Sequence, residues 1–146
     1  MNNRILQIED NPDDVLLTEL AFKKAGASVT LEVATDGDKA IAALQSGGNS
    51  PPPACVLLDI KLPTMSGLEV LTWIRQQPGL KRVPVIMLTS SLLPEDIGRA
   101  YDLGANSYLI KPPDLNSLIA LAKVIDQYWL HINTPPVDVP CLEKVA

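Results

Sequence analysis

Five short apolar runs alternate with five longer segments of helical periodicity along this chain, and no other feature constrains its fold as strongly. The strand-like runs fall near residues 4–9, 29–34, 54–59, 83–88 and 106–110; the helix-like segments fall near 12–25, 37–46, 67–77, 94–103 and 114–130. Short runs rich in Val, Ile and Leu suit strands covered on both faces, as in a parallel sheet. Alternating βα units of this kind build a doubly wound parallel sheet with helices on both sides, joined by right-handed crossovers. The expected class is therefore α/β.

Local punctuation agrees. Asn11-Pro12 supplies an N-cap and a proline for the first helical position, Asp13 and Asp14 suit the first turn, and Gly26 is placed to end that helix. Ser66 and Glu69 have the spacing of a capping box, and Asp114 can cap a last helix whose Leu115, Leu118, Ile119, Ala122 and Ile125 form one apolar stripe. The stretch from Ser46 to Pro53 reads as a loop. At 146 residues and 47% hydrophobic, the chain is long enough for one core and too short for two. The expected organisation is one domain over residues 1–132 and an extended, Pro-rich tail over 133–146.

Composition also removes function classes. A net charge of −5 argues against nucleic-acid binding, which needs a basic face to neutralise phosphates. No apolar stretch approaches the roughly 18–20 residues of a membrane span, and Met-Asn-Asn-Arg leads directly into a strand-like run without a secretory signal. The expected location is cytoplasmic. Cys55, in a strand-like run, and Cys141, in the tail, read as free thiols.

The chemistry gathers at the strand ends. Glu9 and Asp10 follow the run Ile5–Ile8, and Asp59 follows Cys55–Leu58. Ligands of open parallel sheets collect at the carboxyl ends of the strands, so three carboxylates are expected in one pocket. Two carboxylates about 4–5 Å apart repel by roughly 4 kcal/mol at an effective dielectric near 20. Such a cluster calls for a cation, and an all-oxygen donor set favours Mg2+. The fourth strand ends in Thr89-Ser90-Ser91 and the fifth in Lys111-Pro112, adding hydroxyl and ammonium to the same edge. Phosphoryl transfer to a carboxylate suits this mixture: a metal offsets oxyanion charge, a carboxylate attacks, and the cation and hydroxyl receive phosphoryl oxygens. Asp13 and Asp14 read only as residues favouring a helix N-terminus, and His131 as a solvated residue beyond the last helix.

Ile8-Glu9-Asp10-Asn11, Asp36-Gly37 with Ala40, Leu58-Asp59-Ile60-Lys61-Leu62-Pro63 through Gly67, Leu88-Thr89-Ser90 and Gly104 through Pro112 together resemble the receiver domain of two-component response regulators. That resemblance spans residues 4–130 and implies a flavodoxin-like (βα)5 fold with strand order 2-1-3-4-5. It implies Asp59 as phosphoacceptor, Asp10 and Asp59 as direct Mg2+ ligands, Glu9 acting through water and the Lys61 carbonyl as a further ligand. Thr89 would be the switch hydroxyl, Tyr108 the switch aromatic, and Lys111 the phosphoryl-binding lysine before a cis Lys111–Pro112 bond. The opening Glu9–Asp14 segment, the extended Thr89–Asp96 linker and Tyr128-Trp129-Leu130 look most like stand-alone regulators associated with phytochrome-type sensor kinases. The implied function is acceptance of a phosphoryl group from a sensor histidine kinase or a phosphotransfer protein. With no output domain expected, signalling would then run through protein binding, including a homodimer, at a surface carrying Tyr108 and Trp129, the latter readable also as a core cap. A degenerate receiver that binds partners without phosphorylation is the alternative. An aspartate-nucleophile phosphatase fits poorly because Lys61 stands where its second acid belongs, and a flavin site fits poorly because Glu9, Asp10, Asp13 and Asp14 would repel the cofactor's phosphate.

Overall fold

Five parallel strands form one sheet in the order β2-β1-β3-β4-β5. The structure, a computed structural model, describes residues 2–45 and 51–136. In chain order the elements are β1 (Arg4–Ile8), α1 (Pro12–Lys24), β2 (Thr30–Ala34), α2 (Gly37–Gln45), β3 (Cys55–Leu58) and α3 (Gly67–Gln76). They continue with β4 (Val85–Thr89), α4 (Pro94–Asp102), β5 (Ser107–Ile110), α5 (Leu115–Ile125) and a π-helical turn (Asp126–Ile132). The flavodoxin-like order is the expected one. Residues 46–50 of the expected loop, and residues 137–146 of the expected tail with Cys141, lie outside the described residues.

Period-two alternation divides the core. Ile5, Cys55, Leu57, Ile86 and Leu88 pack under α1 and α5 with Ala21, Phe22, Ala122 and Ile125. Leu6, Ile8, Val56, Leu58, Val85 and Met87 face the opposite layer, where Leu68, Leu71, Ile74 and Ala100 cover them. Both faces of the central strands are thus sealed, which is why β1, β3 and β4 are continuous apolar runs. Each fully buried Leu or Ile contributes about 1.5–3 kcal/mol, so these three strands and the helix residues that cover them supply a large share of the drive to fold.

The caps behave largely as their residue types require. Asn11 Oδ1 accepts from the amides of Asp13 and Asp14, and Asp114 Oδ2 accepts from the amide of Ser117. Gly26 ends α1 in the left-handed region at φ 73°. The Ser66–Glu69 box is corrected: Ser66 Oγ takes the amide of Leu68, one residue earlier than the box predicts. The entry of α3 is set instead by Gly67, whose amide donates to Ile60 O.

Two expectations change at the chain's C-terminal half. The Lys111–Pro112 bond is trans, as there is no cis peptide among the described residues. Trans is the ordinary preference of an X–Pro bond by about 0.5–1 kcal/mol; the Lys111 amide, in the preceding peptide, donates to Thr89 O at 2.9 Å. The last helix does not run unbroken to residue 130: α5 stops at Ile125 and the chain widens into the π-helical turn. This keeps Ile125 and Leu130, five residues apart, both on the core, whereas an α-helical repeat would have pointed Trp129 inward. Trp129 is half-buried against the same cluster, edge-on to the exposed Tyr128 with ring centroids 4.9 Å apart.

Candidate functional site

Strand register lines up the site. Ile8 pairs with Ala34 and Leu58, Leu58 with Met87, and Thr89 with Ile110. Glu9, Asp10, Asp59, Thr89 and Lys111 therefore emerge along one edge. Backbone hydrogen bonds continue the ladder one residue past the strands: Glu9 N donates to Ala34 O at 3.0 Å and Asp59 N to Ile8 O at 3.1 Å. The acidic side chains are thus held by sheet as well as by loop.

Glu9, Asp10 and Asp59 each place a carboxylate oxygen within 4.8 Å of the other two. Glu9 and Asp59 are buried, while Asp10 stands open to solvent. Lys111 Nζ lies 2.6 Å from Glu9 Oε1, 2.8 Å from Asp14 Oδ2 and 3.0 Å from Asp59 Oδ2. The second oxygen of Asp59 accepts from the Ile60 amide at 2.8 Å. One ammonium therefore pairs with three carboxylates while a fourth, Asp10, stands beside Glu9 and Asp59, and the donor set suits a hard divalent cation in taking up the excess negative charge.

The electrostatics follow from that imbalance. Burial pushes the Glu9 carboxyl from 4.5 up to about 7, the hydrogen bond from Lys111 opposes the rise, and the Asp59 charge adds to it. Burial works against the Lys111 ammonium, but hydrogen bonds to Asp14, Glu9 and Asp59 outweigh it and raise its pKa.

Neighbouring loops close in tightly. A Cβ on Gly67 would stand 1.9 Å from the Asp59 carbonyl oxygen, so only glycine allows α3 to begin so near the strand that carries the carboxylate. Thr64, in the same β3–α3 loop, is held at φ 64°, where a β-branched residue is strained. Lys61 is exposed in this loop, and Thr89 is buried at the end of β4. Tyr108 is half-buried, and its hydroxyl donates to Ser91 O at 2.9 Å. Burial raises the Tyr108 pKa, the Ser91 bond opposes the rise, and the Asp96 and Asp59 charges add to it.

Comparison with known proteins fits this edge of the sheet. A family model for the response regulator receiver domain matches residues 5–123. The chain belongs to that family. The response regulator Rcp1 of Synechocystis sp. is 39% identical over 135 residues, 90% of this chain and 92% of that protein. The crystal structure of its Mn2+-bound form aligns with a TM-score of 0.81 at 38% identity, covering 92% of this chain and 99% of that one. The crystal structure of the phosphorylated cyanobacterial phytochrome response regulator RcpA aligns with a TM-score of 0.82 at 37% identity, covering 94% and 100%. Among the described residues of this receiver, no helix is long and apolar enough to cross a membrane.

Asp14 is the receiver residue that sequence reasoning missed. Read only as a helix-favouring acid, it reaches into the pocket and pairs with Lys111. The available signal was the short connection: α1 begins four residues after β1 ends, so its first turn must border the pocket. Trp129, by contrast, sits at the end of the last helix against the core, away from the carboxylates.

Proposed function

We propose that this receiver accepts a phosphoryl group on Asp59, with Mg2+, from the phosphohistidine of a partner sensor kinase or phosphotransfer protein, and signals through a changed protein-binding surface. One observation carries the reading: a buried carboxylate at the end of β3, with one oxygen 3.0 Å from a lysine ammonium and two further carboxylates alongside. A buried, charged nucleophile beside a cation and an oxygen-rich cation site suits phosphoryl transfer, where positioning and charge neutralisation supply most of the rate.

In the step itself an Asp59 oxygen attacks phosphorus as the P–N bond breaks. The electron pair returns to an imidazole whose other nitrogen carries a proton, so the ring leaves neutral and the charges balance. Asp10 and Asp59 would hold Mg2+ directly, with Glu9 through water and the Lys61 carbonyl as a further ligand. The ion, when bound, offsets the charge of the phosphoryl oxygens. Lys111 pairs with a phosphoryl oxygen, and Thr89 supplies a hydroxyl to another; moving both biases the neighbouring surface. Similarity to Rcp1 and RcpA supports a kinase of the phytochrome type as donor.

Incubation with a small-molecule acyl phosphate and Mg2+, followed by mass spectrometric mapping, tests the acceptor. Labelling should fall on Asp59, and undiminished labelling of Asp59→Asn overturns the assignment. Tyr108 and Trp129, with the exposed Tyr128, offer aromatic anchors to a partner or to a second copy. Light scattering with and without phosphorylation, for wild type, Tyr108→Ala and Trp129→Ala, tests that surface; a monomer in both states whose variants bind the kinase normally removes it.

A further inference from the structure

Ser91 holds together the loop between β4 and α4. Its hydroxyl donates to Asp96 Oδ2 at 2.5 Å and accepts from the Leu93 amide at 3.3 Å. Its carbonyl accepts the Tyr108 hydroxyl at 2.9 Å, and its amide lies 3.5 Å from Thr89 Oγ1, at the limit of a hydrogen bond. One residue thus touches the strand-end hydroxyl, the β5 aromatic and the first turn of α4.

The arrangement has a local cause. The N-cap of α4 is Leu93, which makes no side-chain cap bond. Leucine has no oxygen to offer the first turn. Ser91, two residues earlier, takes the Leu93 amide and reaches forward to the carboxylate of Asp96, three residues past the cap. The Ser91 hydroxyl thus bridges the N-cap amide and the N3 carboxylate, two groups that a capping box would pair directly. Its hydrogen bond to an ionised acceptor belongs to the stronger kind. Ser91 and Asp96 are both partly shielded from solvent, while Leu92 and Leu93 between them are 70% and 55% exposed, so apolar burial does little to fix this loop.

We propose that the Ser91 hydroxyl, locked to Asp96, is a positioning group: it fixes the Ser91 carbonyl as the acceptor for Tyr108 and thereby sets the placement of the Thr89 loop beside Asp59. The inference rests on Asp59 as phosphoacceptor for its kinetic part only. Freed of the lock, the loop and Tyr108 sample more arrangements, and phosphorylation loses preorganisation. Of the acids on α4, Asp96 is the one bonded into this network, and its charge acts on the Tyr108 hydroxyl.

The test is a double-mutant cycle on the full chain with Ser91→Ala, Asp96→Ala, the double variant and Ser91→Thr. Two readouts are taken: the Tyr108 ring resonance by selective tyrosine labelling in unphosphorylated protein, and the rate of labelling of Asp59 by acyl phosphate with Mg2+. Both single variants should move the Tyr108 resonance toward that of a solvent-exposed tyrosine and slow labelling about three- to tenfold. The double variant should be no worse than the more affected single, and Ser91→Thr should restore both. An unmoved Tyr108 resonance in the singles, additive effects in the double, or failure of Ser91→Thr overturns the lock. If wild type is not labelled on Asp59, the proposed function fails while the Tyr108 resonance still decides the lock.

Discussion

Lys111→Met isolates the charge balance of the pocket. The ammonium touches Glu9, Asp14 and Asp59 at 2.6, 2.8 and 3.0 Å, and the side chains of Glu9 and Asp59 are 3% and 8% exposed. Truncating one partner of a buried pair costs about 3–5 kcal/mol because the remaining charge is left uncompensated. Glu9 softens that loss where it can take a proton. Its folded pKa of about 7 lies above its ordinary 4.5, so its contribution to stability is complete below pH 4.5 and fades as pH rises through 7. Without the opposing lysine the carboxyl rises further. The deficit of the variant should therefore be small near pH 5, about 1 kcal/mol, and grow to about 3 kcal/mol near pH 9. For a chain of this size that corresponds to roughly 6–12 °C in melting temperature at the alkaline end.

The same variant predicts a metal effect of opposite sign. A divalent ion held by these carboxylates would be repelled by the nearby Lys111 ammonium, by about 1.7 kcal/mol at a separation of about 5 Å even at the dielectric of water. Removing the ammonium should tighten Mg2+ binding more than tenfold, and excess Mg2+ should raise the melting temperature of Lys111→Met by more than it raises that of wild type. The assay is thermal unfolding at pH 5, 7 and 9 with Mg2+ titrated from none to excess. A deficit independent of pH, or equal metal stabilisation of both proteins, refutes the reasoning.

Gly67→Ala should destabilise the chain by about 3 kcal/mol in urea unfolding, since ordinary contact begins near 3.4 Å and the new Cβ would lie 1.9 Å from Asp59 O; wild-type stability would show that the approach is looser. Cys55, fully buried and pushed up to about 12 by that burial, should escape alkylation in the native protein at pH 8 and react only after denaturation, as read by peptide mapping. Lys61→Ala should speed hydrolysis of the acyl phosphate several-fold, because the exposed lysine two residues past Asp59 is placed to screen the phosphoryl group from water; an equal or slower decay removes that role.

The sheet was legible in the sequence because burial on both faces writes itself as unbroken apolar runs. β1, β3 and β4 each begin and end within two residues of the expected bounds, and the strand order followed from the resemblance. Strand-end residues were legible for the same reason: once register is fixed, Glu9, Asp59 and Lys111 have nowhere else to emerge. Helix-borne contacts were not. Asp14 looks like any first-turn acid, and only the placement of α1 over the sheet edge brings its carboxylate to Lys111. The π-helical turn was hidden because tyrosine, tryptophan and leucine in a row satisfy a helical stripe at either four- or five-residue spacing, and the choice falls to which of them fits the space beside Ile125. Leu130 takes that space and Trp129 does not. A tryptophan left half-buried by its neighbour's better fit presents an aromatic face to solvent whether or not a partner uses it. That is why its contribution to the folded chain and its contribution to any interface have to be separated by measuring the stability of Trp129→Ala alongside its binding.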